Sequence, residues 1–314
     1  MQIDPSSHRE PTLEMELRYL HPVYSADTEA SGLVELVDSA SLFEVARDAL
    51  AAISPRKRFA TKFGVTVGSV RATKGGQYYI GPRELPDGLA KLAELRASGR
   101  LGNYYRHYWG EAFTVDVGFF LALPARGKYE ALDVSRAVAR VRIEDQAVEP
   151  WLEQLSNAMF DLFVKAASVG RPMHARCSWF FRSGNHEYER LAGVFARDEV
   201  GLPSVPGYRT ILYLHPAAVL ELGGVDAVAA HAPVAVVRPL DHPDGSIGIA
   251  AMLCRNPDDL TVNRLEAWRQ YLLPVVNLPQ EHYRPTSWAD FRPEGWLAGV
   301  DRPLDVLPRD FEGL

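Results

Sequence analysis

The sequence predicts an α+β fold: a mixed, largely antiparallel sheet with helices packed on it, followed by an irregular Pro- and Trp-rich C-terminal tail. Three observations carry this expectation. Stretches of strand period and helix period follow one another without a regular βαβ rhythm and without an internal repeat. Residues 234–239 and 246–253 flank the turn LDHPDG as an antiparallel hairpin with a longer loop. Past Asn277 no period fits, and Trp288, Phe291, Trp296, Leu304 and Phe311 are scattered among prolines and charges. The organisation expected is one domain over 1–276, or two similar-sized halves meeting near 125–150. Residues 277–314 are then an extended tail that packs on the domain by its rings or serves as a recognition segment.

In chain order, Leu13 to Val23 alternates apolar and polar as a half-buried strand. Gly32 to Val37 reads as a second, short strand. Ser41 to Ile53 is an amphipathic helix, with Ser39 or Ser41 as its cap and Leu42, Val45, Ala46, Ala49 and Leu50 at helical spacing. Strands follow at 59–70 and 77–80, then a helix from Pro86 or Asp87 to Ala97. Phe113, Val115, Val117 and Phe119 alternate with Thr114, Asp116 and Gly118 in another strand. Residues 133–143 fit a helix or a strand equally well.

Glu149 to Ser168 is the clearest long helix, with Pro150 in its first turn, where a missing N–H costs nothing. His174 to Phe181 is a strand, and Glu187 to Arg197 is helical in period. The best-defined unit is Pro206 to Gly224: a strand to Leu214, a break at His215-Pro216, and a short helix. Gly223-Gly224 stops that helix because glycine takes the left-handed conformation without a Cβ clash. A helix over 225–230 comes next, and a last one, capped by Asp259 or Thr261, over 262–273.

Composition narrows the function. The chain has 314 residues, a net charge of −6 and no basic stripe, so nucleic acid is not an expected partner. The mild acidity suits a soluble protein and gives at most a hint of a basic partner. No apolar run is long enough for a membrane span and no secretory leader is evident, so a cytoplasmic protein is expected. Cys177 and Cys254 are too few for a disulfide framework, though one bond between them stays open.

Chemical motifs are sparse. Gly64 and Gly68 lack the spacing of a phosphate loop, and no G-x-S-x-G elbow is present. His174 and Cys177 lack a second close pair of ligands, so no metal site is expected. His186-Glu187 has Arg190 where a metalloprotease helix carries its second histidine. No cofactor is implied. His107, Glu111 and Asp116 offer an imidazole and two carboxylates, a possible acid–base set. The run Tyr104 to Trp109 reads either as core or as a partner surface, since Tyr, Trp and Arg carry protein–protein hot spots. Tyr105, His107, Tyr108, Trp109 and Glu111 are the partner-binding candidates; no catalytic residue is assigned.

Residues 113–276 carry a resemblance. Phe120-Leu121-Ala122-Leu123-Pro124 followed by Lys128-Tyr129-Glu130, the Leu222-Gly223-Gly224 stop, the 234–253 hairpin, Asn256-Pro257 and the helix from Val262 resemble the bacterial type VI secretion immunity family. The resemblance implies a non-enzymatic protein that neutralises a cognate protein toxin by stoichiometric binding. The alternatives are an enzyme working through His107, Glu111 and Asp116, and a structural or assembly subunit.

Overall fold

A computed structural model describes residues 12–20, 26–53, 62–69, 77–80, 85–98, 101–109, 113–120, 134–143, 146–169, 172, 174–180, 210–242, 244–256, 259, 262–272 and 274–275. Ten strands are described: β1 Thr12–Leu20, β2 Lys62–Ser69, β3 Gln77–Ile80, β4 Leu101–Trp109, β5 Phe113–Phe120, β6 Val134–Ile143, β7 His174–Phe180, β8 Ile211–Leu214, β9 Val236–Asp241 and β10 Ile247–Met252. They form one sheet in the order β3-β2-β4-β5-β6-β1-β7-β8-β10-β9, and every pairing is antiparallel. The helices are α1 Ala26–Asp38, α2 Leu42–Ile53, α3 Leu85–Ala97, α4 Leu152–Val169, α5 Pro216–Glu221, α6 Val225–His231 and α7 Val262–Leu272. The fold is α+β, as the mixed periods predict.

Strand direction explains where the helices lie. Antiparallel steps along the order make β1 and β2 run the same way, as do β3 and β4, β6 and β7, and β8 and β9. Each such pair is joined through helices, and crossovers of this kind are right-handed in nearly all proteins. From β1 the chain steps toward the β3 edge. From β3 and from β6 it steps toward the β9 edge on strands of opposite direction, so α1 to α4 share one face. From β8 it steps toward the β9 edge on a strand running like β1, which sends α5 and α6 to the other face. The packing agrees: two separate apolar clusters form.

The larger cluster joins α1 to α4 with the inward residues of the sheet, such as Leu13, Met15, Leu17, Val115, Val117, Phe119, Ala139 and Val141. α4 is its spine, burying Leu155, Met159, Phe160, Leu162 and Phe163; full burial of each such side chain stabilises by about 1.5–3 kcal/mol. The buried Tyr19 hydroxyl donates to the Ala166 carbonyl at 2.6 Å, fixing α4 over β1. The smaller cluster lies on the opposite face and unites Leu212, Leu214, Ile249 and Ala251 with Val219, Val228, Trp268 and Leu272 of α5 to α7. The strands β8 and β10 are therefore covered on both faces. Cys177 belongs to the first cluster and Cys254 to the second; both are free thiols on opposite sides of the sheet.

Several expectations change on contact with the structure. Gly32 to Val37 lies inside α1 and not in a strand: Leu33, Val34, Leu36 and Val37 fall on one buried helical stripe. Residues 134–143 are a strand, with Ala137, Ala139, Val141 and Ile143 inward. The turn around Pro150 is a 3-10 segment, Gln146–Trp151, leading into α4. The Leu-Gly-Gly stop behaves as expected. Gly223 and Gly224 have φ of 95° and 93°, and the Gly224 N–H closes back on the Val219 carbonyl at 2.8 Å. His215 caps the same helix at its other end, Nδ1 accepting from the Ala217 N–H at 3.2 Å. Residues 187–197 and 277–314 lie outside the described residues.

Candidate functional site

The stretch singled out for its aromatics is β4, and strand alternation splits it between the two faces of the sheet. Tyr104, Arg106 and Tyr108 take the helix-covered side. Tyr104 is buried, and its hydroxyl donates to Asp38 Oδ1 at 2.7 Å. Burial first, and then the hydrogen bond and charge of Asp38, push the Tyr104 phenol well above the ordinary tyrosine range. Arg106 Nη1 donates to the Asp38 carbonyl at 2.9 Å, a cation on the last carbonyl of α1. Its guanidinium also lies 5.1 Å from the centre of the Phe43 ring. Tyr108 stacks on Phe113 at 6.2 Å and packs against the large cluster. These three residues fasten α1 and α2 to the sheet.

Tyr105 and His107 take the opposite side. Register sets His107 across from Asp116 of β5, and His107 Nδ1 lies 2.7 Å from Asp116 Oδ1. A carboxylate only accepts, so the imidazole carries a proton on Nδ1 toward Asp116. The Tyr105 ring lies parallel to that imidazole, 7° between planes and 5.8 Å between centres. It rests on Gly118, where a Cβ would collide with the Tyr105 ring and come within 2.5 Å of the Tyr104 carbonyl oxygen. Gly118 thus seats the tyrosine flat against the sheet. Both side chains are half-buried.

Of the predicted site residues, the structure brings Tyr105, His107 and Asp116 together and turns Tyr108 to the other face. Trp109 ends β4, its Cα paired with Lys62 and Thr114. Glu111 lies outside the described residues. The exposed Arg140 and Arg142 of β6 belong beside this site, with Arg140 paired to Asp116 and Arg142 to Thr114. The alternation VARVRI, once read as a strand, carries the signal for both.

The same rows of paired Cα atoms run on across the sheet. The row of His107, Asp116 and Arg140 continues to Glu14 and Ser178. That of Tyr105 and Gly118 passes through Val138 to Glu16 and Arg176. The next runs from Phe120 through Arg136 and Arg18 to His174. No described helix packs over this face of β2 to β7.

A second polar pair sits away from this face, on the α4 side of β8 and β10. The buried Tyr213 hydroxyl lies 2.7 Å from His242 Nε2. The contact depends on Gly248, where a Cβ would come within 2.6 Å of Tyr213 and 2.9 Å of His242. It anchors the hairpin loop that Gly245 turns at φ 79°. Among the described residues no cluster of three metal-ligating side chains occurs, and no helix is long and apolar enough to cross a membrane.

No protein-family model matches the chain, and no curated protein matches it. Among solved structures, one described as a Pseudomonas aeruginosa T6SS protein is similar over 85% of this chain and 77% of that chain, at 13% identity and a TM-score of 0.46. At that level the likeness carries no argument about function.

Proposed function

We propose that the chain is a cytoplasmic immunity or binding protein that neutralises a cognate bacterial toxin by covering it in a stoichiometric complex. The reading begins from the family resemblance of residues 113–276. One observation in the structure supports it most: the Tyr105–His107 stack, held by Asp116 and Gly118, on the face that no described helix covers. Flat, pre-positioned aromatic rings bury much area on binding while losing little side-chain freedom. Such a face suits a rigid protein partner better than a small ligand, which would need a concave site.

The test is co-expression with the toxin encoded beside the gene, followed by size-exclusion chromatography and a growth-protection assay. A one-to-one complex and protection are expected, with Tyr105→Ala weakening binding by about 2 kcal/mol. If the protein neither binds nor protects against that toxin, the reading fails.

A second reading is favoured by one geometric fact, the 2.7 Å contact that orients His107 for acid–base work. Under it, purified protein turns over a substrate and His107→Asn abolishes turnover. Retained turnover in that variant rejects the assignment.

A further inference from the structure

Strand β9 ends the order of the described strands beside β10, and Arg238, Pro239 and Asp241 are exposed on it. The direction of its backbone groups follows from bonds just beyond the ladder. His242 donates to the Ser246 carbonyl at 2.9 Å, and the hairpin register, continued by one step, sets these two residues opposite one another. On the other side of β10, Leu253 donates to the Thr210 carbonyl at 2.7 Å. Bonded and non-bonded pairs alternate along an antiparallel ladder. Odd residues of β10 therefore face β8 and even ones face β9. The bonded pairs of the hairpin are then Val236 with Met252, Arg238 with Ala250, and Leu240 with Gly248.

Val237, Pro239 and Asp241 thus direct their backbone groups away from β10. Proline has no N–H to offer, so the middle of that outward row lacks its donor. Its ring also stands where the carbonyl of an added strand would come. Arg238 and Asp241 place exposed charges on either side. At the start of the strand, Ala235 turns its N–H to the Met252 carbonyl at 2.8 Å, although Val236 is the residue registered to Met252. Two residues facing one make a bulge, which twists the edge. Prolines, charges and bulges are the devices by which sheets blunt their edges. This strand needs them: Val234, Val236 and Val237 favour extended pairing, no charge falls between Ala232 and Val237, and the apolar run IGIAAM lies alongside.

We propose that Pro239 is the stop of the sheet: by withholding one outward N–H it keeps β9 from pairing with the β9 of a second copy. In the symmetric antiparallel register centred on position 239, Val237 of each copy would face Asp241 of the other. Both central bonds would have to come from residue 239, and neither can form. This holds under either reading of the function, since it concerns only how the chain meets itself.

The test compares the full-length wild type with Pro239→Ala, Pro239→Val and Arg238→Val by sedimentation velocity over a range of concentrations. Both substitutions at 239 restore the N–H and should tighten self-association by about tenfold or more. Pro239→Ala adds no large apolar side chain, so association of Pro239→Val alone overturns the proposal in favour of apolar contact. Arg238→Val leaves Pro239 in place, and its own N–H faces β10, so it should stay at the wild-type level. Association of Arg238→Val equal to that of Pro239→Ala would make charge the stop instead. In the associated variants, amide hydrogen exchange should slow at positions 237, 239 and 241; slowing only elsewhere overturns the proposal. The wild type supplies a measurement that depends on no variant. Its Val237 and Asp241 amides should exchange fast, while those of Arg238 and Leu240, bonded to β10, are protected. Protection of all four would show an edge already paired and overturn the proposal, as would two variants at 239 that associate no more than the wild type.

Discussion

Strands β2 to β7 and strands β8 to β10 belong to one sheet, yet they solve different problems. In the first region the described helices cover a single face, and the strands alternate. Phe113, Val115, Val117 and Phe119 are buried, while Thr114 and Asp116 remain half-exposed. In the second, α4 reaches one face and α5 to α7 the other, so all four residues of β8 are buried and five of six in β10. The seam between them is narrow: β7 and β8 share only two registered pairs, Arg176 with Leu212 and Cys177 with Ile211. A strand buried on both sides has no surface to offer a partner. Apart from the edge strand β9, which keeps Arg238 and Pro239 exposed, the sheet surface that the proposed recognition can use lies in the first region.

The largest expected effect tests that contrast directly. Leu212 is fully buried in the smaller cluster, and Leu212→Ala should cost about 2–5 kcal/mol through lost transfer energy and a residual cavity. Thr114→Ala, on the face of β5 that no described helix covers, should stay within about 0.5 kcal/mol. Urea denaturation of the two variants measures both. Similar costs would mean that the two regions are not covered differently.

Gly248→Ala comes next. The new methyl group would press on both Tyr213 and His242 inside a region with helices on both sides, and we expect a loss of about 1–3 kcal/mol. Near-ultraviolet circular dichroism should report the displaced tyrosine. Gly118→Ala has a different consequence, because the ring it displaces is Tyr105, on the face that no described helix covers. There the expected loss includes affinity for the partner, which Gly248→Ala should spare. Equal effects of the two variants on toxin binding would count against the placement of the site.

Much of this contrast could be read from the residues. ILYL and IGIAAM are continuous apolar runs of the kind that strands buried on both faces require, and FTVDVGFF is a plain alternation. α4 announced itself by its stripe, and the Leu-Gly-Gly stop by its glycines. Two elements did not. In α1 the run GLVELV fits either period, and only its length, from Ala26 to Asp38, makes it a helix. β4 has aromatic side chains pointing both ways, which hides its alternation, and its ladder with β2 shifts register between Gly68 and Ser69. The site was legible as a list of residue types but not as a geometry. Whether His107 meets Asp116 depends on the β4–β5 register, while the alternation of β4 by itself sends Tyr108 away from Tyr105. The Cα atoms of Arg18 and Arg136 are paired although 118 positions separate them in sequence, and no local pattern announces that register.

Asp116→Asn sharpens the account of the first region. It keeps the shape of the side chain but removes the charge that holds the His107 proton on Nδ1. The Asp116 side chain is 33% exposed, so the stability loss should be below about 1 kcal/mol. The partner should feel it more, since the imidazole is no longer held parallel to Tyr105. A calorimetric comparison of toxin binding by the wild type and Asp116→Asn measures this. Unchanged affinity would reduce the His107–Asp116 pair to a cross-strand contact.

The smallest effect concerns the other face of the same strand and appears only in alkali. The phenol of Tyr104 is held above its ordinary value of 10.0 by burial and by its hydrogen bond to Asp38. A group whose folded pKa is raised contributes stability that is whole below the unfolded value and lost as pH climbs past it. Wild-type stability should therefore fall above pH 10, as the unfolded chain sheds a proton that the fold retains. Tyr104→Phe removes both the titrating group and the bond to Asp38. It should cost about 1 kcal/mol at neutral pH, and the deficit should narrow above pH 10. Other tyrosines titrate in both proteins and cancel in the difference. Urea midpoints at pH 8 and pH 11 give that difference; a gap of constant size would show that Tyr104 holds α1 by shape alone.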